Sequence, residues 1–171
     1  MKISDNIILT GPMAVGKTQV GQCLAWILGR PFYDLDYILV QKFGKSLIDY
    51  FFEQGELSFR QQESLVLQLL KLDQESVIAT GGGTVLKDKN RNIIKKLGKV
   101  FYLTVNIFQQ YKRTRIDNFR PLLKGSYNMR IACLRTLNKV RHPYYLDVAD
   151  VIIPTDNLVL FQVVFLILKN L

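Results

Sequence analysis

Short apolar runs alternate along the chain with longer stretches whose apolar residues recur every three or four positions. Ile7-Ile8-Leu9-Thr10 reads as a buried strand, and Val20, Cys23, Leu24, Ile27 and Leu28 follow it at helical spacing. Gly29-Arg30-Pro31 ends that helix, because proline resists helix continuation. Phe32-Tyr33-Asp34-Leu35-Asp36 reads as a second strand that leaves two carboxylates at its end. Residues 37–43 look helical and stop at Gly44, and Ser46 caps a helix through 52 that Gly55 closes. A long helix is expected over 56–72. Val77-Ile78-Ala79-Thr80 is a third strand, running directly into Gly81-Gly82-Gly83. A helix over 89–97 leads to a fourth strand, Val100-Phe101-Tyr102-Leu103-Thr104-Val105. Helix then continues to about residue 115, followed by a polar and basic segment over 116–128 and a helix over 129–144. Val151-Ile152-Ile153 is a fifth strand, and the apolar stretch from 158 reads as a final, buried helix. Strand and helix in alternation predict an α/β fold, a five-stranded parallel sheet covered on both faces. Ligands of such folds bind beyond the carboxyl ends of the strands.

One loop names a ligand class. Residues 11–18 read Gly-Pro-Met-Ala-Val-Gly-Lys-Thr, fitting the phosphate-loop pattern G-x-x-x-x-G-K-[ST] between a strand and a helix. Gly11 and Gly16 let the backbone over Pro12, Met13, Ala14 and Val15 curl so that its successive N–H groups face phosphate oxygens. The helix beginning near Gly16 aims its positive end at the same place. Lys17 would reach the β- and γ-phosphates of a nucleotide, and Thr18 would ligate Mg²⁺.

Composition narrows the remaining classes. A chain of 171 residues, 49% hydrophobic and 22% charged, is expected to form one soluble domain with a substantial core. No signal peptide or membrane span is expected. Cys23 and Cys133 read as buried thiols of a reducing cytoplasm, and the single histidine, His142, excludes a histidine-based metal centre. The net charge of +9 admits nucleic-acid binding, but the basic residues are scattered and not interleaved with exposed aromatics. An enzyme for anionic small molecules is the better reading.

Three clusters add chemistry. Asp34 and Asp36 follow the second strand: one would sit near Mg²⁺ and the other near a hydroxyl nucleophile, or the pair is a helix cap beside a surface acid. Triple glycine at 81–83 is either a plain loop or a place where backbone must approach a ligand closely. Arg60, Arg120 and Arg141 offer forks that match carboxylate or phosphate, although singly each is more often a surface residue than a ligand.

Together these residues resemble shikimate kinases. The likeness runs from Ile7 to about Asn157, through the phosphate loop, Asp34-x-Asp36, Gly55-Glu56-x-x-Phe59-Arg60-x-x-Glu63, Ala79-Thr80-Gly81-Gly82-Gly83, Arg120-Pro121-Leu122-Leu123 and Arg141-x-Pro143-x-Tyr145. It implies a P-loop kinase domain over 1–171 with three α/β/α layers, substrate-binding helices over 37–62 and a lid over 116–126. It also implies transfer of the γ-phosphate of ATP, with Mg²⁺, to the 3-hydroxyl of shikimate. Asp36 would contact the substrate hydroxyls, Arg60 and Arg141 would clamp its carboxylate, and Gly81, Gly82 and Gly83 would complete that pocket. Glu63 would hold Arg60, Phe51 and Phe59 would be apolar walls, and Asp34 would be the outer partner of Mg²⁺. Arg120 would act from the lid and Arg113 would contact the nucleotide. A cytoplasmic monomer without nucleic-acid or membrane partners is expected. Gluconate kinase and a catalytically silent relative are the alternatives; Lys17, Asp36, Arg60 and Arg141 are all present, which disfavours the second. Two departures stand out. The family usually carries glycine at the position of Ala14, where a positive φ would cost about 1 kcal/mol, and the lid's Ile116-Asp117-Asn118-Phe119 is bulkier than usual. Residues that contact adenine are not identified.

Overall fold

The computed structural model describes residues 6–70, 72–114 and 126–171. Five parallel strands form one sheet in the order β2-β3-β1-β4-β5: β1 Asn6–Thr10, β2 Phe32–Asp34, β3 Val77–Ala79, β4 Gly98–Thr104 and β5 Val151–Pro154. The helices are α1 Lys17–Leu28, α2 Leu35–Phe43, α3 Leu47–Leu69, α4 Asp88–Leu97, α5 Ile107–Thr114, α6 Tyr127–Val148 and α7 Leu160–Lys169, with a single 3₁₀ turn at Thr84–Leu86.

The two-residue period of a strand sorts its side chains between two cores. Ile7 and Leu9 of β1, with Phe101 and Leu103 of β4, pack with residues of α1 and α7. Ile8, Val100 and Tyr102 point the other way, among residues of α2, α3, α4 and α6. The predicted three layers and five parallel strands are therefore observed.

Several boundaries move, each for a local reason. The second strand stops at Asp34, whose carboxylate accepts from the N–H groups of Asp36 and Tyr37 and so starts α2 two residues earlier than expected. Asp36 consequently lies on a helical turn instead of a strand. The helices predicted on either side of Gly55 run as one element with a kink, because Gly55 takes φ 76° and ψ 169°. Helix α6 continues past Tyr144 to Val148 with Pro143 inside it. Its last turn is held by Tyr145, which stacks on Tyr102 at 4.9 Å between ring centroids. Helix α7 is amphipathic, not wholly buried: Val163, Val164 and Ile167 are interior, whereas Phe161 and Phe165 are exposed. Cys23 and Cys133 form no disulfide and are only half-buried. Among the described residues no helix is long and apolar enough to cross a membrane.

Asn6 locks the entry to the sheet. Its Oδ1 accepts from the N–H of fully buried Ser76 at 2.8 Å, and its Nδ2 donates to the Leu97 carbonyl at 2.8 Å. One side chain thereby satisfies groups ahead of both neighbours of β1. Asn6→Ala leaves both without that partner, at about 1–3 kcal/mol each. Thermal unfolding should show a fall of several degrees, at about 2–4 °C per kcal/mol for a chain of this size.

Candidate active site

The carboxyl ends of β1, β2 and β3 open on a cleft of about 530 Å³. It runs from Asp36 and Gly82, past the phosphate loop and Asp34, to Arg113, Thr155 and Leu158. Helix α1 starts at Lys17 behind Gly16, which is left-handed at φ 103°, and has neither a side-chain cap nor an acid in its first turn. Its first N–H groups thus face the loop with no competing side chain, the arrangement that binds anions. Lys17 Nζ donates to the Gly11 and Pro12 carbonyls at 2.8 and 2.9 Å, which holds the ammonium against the loop. Ala14 has φ 58° and is the one non-glycine residue with positive φ among the described residues. The strain expected there, about 1 kcal/mol, is present.

Thr18 Oγ1 donates to Asp34 Oδ2 at 2.6 Å, while Asp34 Oδ1 caps α2. Of the two readings of Asp34, the helix cap is observed on one carboxylate oxygen, and the other oxygen accepts from Thr18. Among the described residues no cluster of three or more His, Cys, Asp or Glu side chains could hold a metal. A hydroxyl and a carboxylate side by side still fit Mg²⁺, which takes hard oxygen donors, keeps several waters and completes its shell from phosphates.

The triple glycine is the crossing point of the other half. A Cβ at Gly81 would lie 2.7 Å from both Asp36 Oδ1 and Glu63 Oε1. One at Gly83 would collide with the Arg60 guanidinium, and one at Gly82 would meet Met13 N and Arg141 Nη1 at 3.4 and 3.5 Å. At Gly81 and Gly83 the space of a side chain is taken by Asp36, Glu63 and Arg60 of this protein, whereas at Gly82 the contacts would be ordinary. Arg60 Nη1 donates at 2.8 Å to Glu63, which is 2% exposed and also accepts from Thr84 Oγ1 at 2.7 Å. Arg60 also lies over Phe59, whose ring is 5.7 Å from that of Phe51. Arg141, 6% exposed, donates to the Gly82 carbonyl at 3.1 Å, and Tyr145 Oη donates to the same oxygen at 2.5 Å. Burial pushes the Tyr145 hydroxyl well above its ordinary pKa, so it stays a donor.

Arg113 lines the cleft and donates to the Val15 carbonyl at 3.2 Å and to the Thr155 carbonyl at 2.8 Å. Arg120 and all of the expected lid except Ser126 lie outside the described residues. Sequence reasoning missed Leu158 and Thr155 on the cleft wall, and missed Gln110 and Asn138 behind the loop.

A parallel sheet that delivers a phosphate loop, a Thr–Asp oxygen pair and Asp36 to one cleft, with Arg141 and Arg60 set against the glycine loop at its border, defines a P-loop small-molecule kinase. The shikimate kinase family profile matches residues 13–171. The curated shikimate kinase of Histophilus somni is 41% identical over 151 residues, 88% of this chain and 86% of the relative. The Acinetobacter baumannii shikimate kinase, solved in complex with shikimate, is 39% identical with a TM-score of 0.91, covering 97% of this chain and 92% of that one. The Bacteroides thetaiotaomicron shikimate kinase is 30% identical with a TM-score of 0.88, covering 97% of each chain. The chain belongs to the shikimate kinase family, and so is an ATP-dependent phosphotransferase that uses Mg²⁺ and an alcohol acceptor.

The helix cap made by Asp34 and the Mg²⁺ contact expected of it separate by substitution. Asparagine caps a helix as well as aspartate does, whereas alanine loses the cap at about 0.5–2 kcal/mol. Asp34→Asn should melt near the wild-type temperature yet lose most of the Mg²⁺ dependence of ATP-analogue binding, measured by calorimetric titration. Asp34→Ala should lose both.

Proposed function

We propose that this chain transfers the γ-phosphoryl group of ATP to the 3-hydroxyl of shikimate, giving shikimate 3-phosphate and ADP on the route to chorismate and the aromatic amino acids. The observation that carries the proposal is the junction at Gly82: its carbonyl accepts from Arg141, and Gly82 lines the same cleft as Met13 of the phosphate loop. A carboxylate site and a triphosphate site thus share one wall.

The roles follow from charge and reach. Backbone N–H groups of the loop and Lys17 balance the phosphate charge. Thr18 and Asp34 would hold Mg²⁺, which when bound would neutralise charge on the phosphate oxygens. Asp36, beside Gly81, accepts the proton of the attacking hydroxyl. Arg60 and Arg141 bind the substrate carboxylate, Phe51 and Phe59 wall the ring, and the glycine backbone at 81–83 completes the pocket. Arg113 with Thr155 and Leu158 borders the nucleotide's far end, and Arg120 acts on the phosphates from the lid. Phosphoryl transfer needs positioning and charge neutralisation more than covalent chemistry, and every group named supplies one of these. The same reading makes the chain a cytoplasmic monomer that acts on small molecules, with no nucleic-acid or membrane partner. Gluconate also bears a carboxylate, but neither the family profile nor the 41% identical relative supports it.

Coupled ADP release with a panel of shikimate, gluconate and nucleoside monophosphates tests the proposal. Turnover should require shikimate and Mg²⁺; well-folded protein that releases no ADP with shikimate overturns it.

The clamp has its own test. Arg60→Ala or Arg141→Ala removes a charge-assisted bond of about 1.5–3 kcal/mol, so shikimate affinity should fall roughly ten- to a hundredfold. Lysine should rescue poorly, since an ammonium lacks the two-pronged geometry. Titration with shikimate and with an analogue lacking the carboxylate decides: equal binding of the two by wild type would disprove the clamp.

A further inference from the structure

Behind the phosphate loop lies a fully buried amide to which no role has been given above. Gln110 on α5 is 0% exposed. Its Nε2 donates to the Met13 carbonyl at 3.0 Å across 97 residues of sequence, and its Oε1 accepts from Asn138 Nδ2 of α6 at 2.9 Å. Gln110 does not line the cleft. Burying an amide here, where an apolar side chain would fill the same space, needs a reason.

We propose that Gln110, oriented by Asn138, is a positioning residue for nucleotide binding: it fixes the Met13–Ala14 peptide and lets Ala14 keep the positive φ of the phosphate loop. The proposal rests on the reading of that loop as the ATP site. The peptide is trans, so its carbonyl and N–H point in opposite directions. Drawing the Met13 oxygen toward α5 turns the Ala14 N–H away from α5, the direction a phosphate-binding loop requires. Without that tie, rotation of this one peptide would relieve the strain at Ala14 and take a donor away from the phosphates. Asn138 decides which way the Gln110 amide faces. Its N–H group occupies the amide oxygen, so the amide nitrogen is the end presented to Met13; a flipped amide would set two acceptors face to face. One turn further along α5, Arg113 donates to the Val15 carbonyl at 3.2 Å. The carbonyls on both sides of Ala14 are therefore held from one helix. Arg113 also faces the cleft, whereas Gln110 acts only through the backbone.

The test is titration of a non-hydrolysable ATP analogue with Mg²⁺ into wild type, Gln110→Met, Asn138→Leu, Ala14→Gly and Gln110→Met combined with Ala14→Gly, with thermal melts alongside. Methionine fills the volume but cannot donate. Gln110→Met should weaken analogue binding roughly tenfold, the worth of one well-placed hydrogen bond, with shikimate affinity unchanged. Asn138→Leu should move it the same way by less. Glycine holds a positive φ without support, so in the combined variant Ala14→Gly should recover most of the lost affinity. Unchanged analogue affinity in Gln110→Met overturns the proposal, as does a loss that Ala14→Gly fails to recover. Should Gln110→Met not fold, Asn138→Leu, at a half-buried position, carries the test, and unchanged analogue affinity there overturns it. A wild type that does not bind the analogue refutes instead the reading of the loop as an ATP site.

Discussion

The buried carboxylate of Glu63 is the constraint around which the acceptor half of the cleft is arranged. An ionised group at 2% exposure is costly unless its oxygens are paired. Here one oxygen takes the Arg60 guanidinium and the other the Thr84 hydroxyl. Both partners become fixed in turn. Thr84 opens the 3₁₀ turn after the triple glycine, and Arg60 stands one helical turn before Glu63 on α3. The arrangement leaves no room for a Cβ at Gly81 or Gly83. The glycines are thus a consequence of two helical side chains being brought against a strand end. Their bare backbone then places the Gly82 carbonyl where Arg141 and Tyr145 can reach it from α6.

What was legible in the sequence was local. A phosphate loop is a contiguous motif whose glycines and lysine act on their own backbone, so Gly11 to Thr18 could be read directly. The strand and helix alternation was equally readable, because each element carries its own periodicity. The errors came where a contact decided the outcome. Asp34 ends β2 by capping α2, and a cap cannot be told from a strand-end acid by spacing. The helix expected to end at residue 144 continues to Val148, with Tyr145 anchored on Gly82 and Tyr102. The run beginning at residue 158 looked uniformly apolar, but only one stripe of α7 meets α1 and the sheet.

Gln110 and Asn138 were the hardest to see. Each is an uncharged polar residue in a helical segment, the kind usually found facing water. The one available signal was positional: Ile107, Gln110 and Thr114 share a face of α5, and Gln110 and Thr114 on that face are wholly buried. A buried polar residue at a core-facing position demands a partner. Its partner is a backbone carbonyl 97 residues away, and no pattern in sequence points there.

These two kinds of residue divide the work of the cleft. Arg60, Arg141, Lys17 and Thr18 carry charge or oxygen to where a substrate would lie, and such residues announce themselves by type. Glu63, Tyr145, Gln110 and Asn138 fix the directions in which those groups and the loop backbone point. In phosphoryl transfer the second set is not subordinate, because an in-line displacement depends on angles as much as on charge. The two proposed substrate halves meet where a Cβ added to Gly82 would come into van der Waals contact with Met13 N. Rotation of either strand end would change the distance between donor and acceptor directly. The supports found on both sides, Arg141 and Tyr145 on Gly82 and Gln110 on Met13, are those needed to keep that junction rigid.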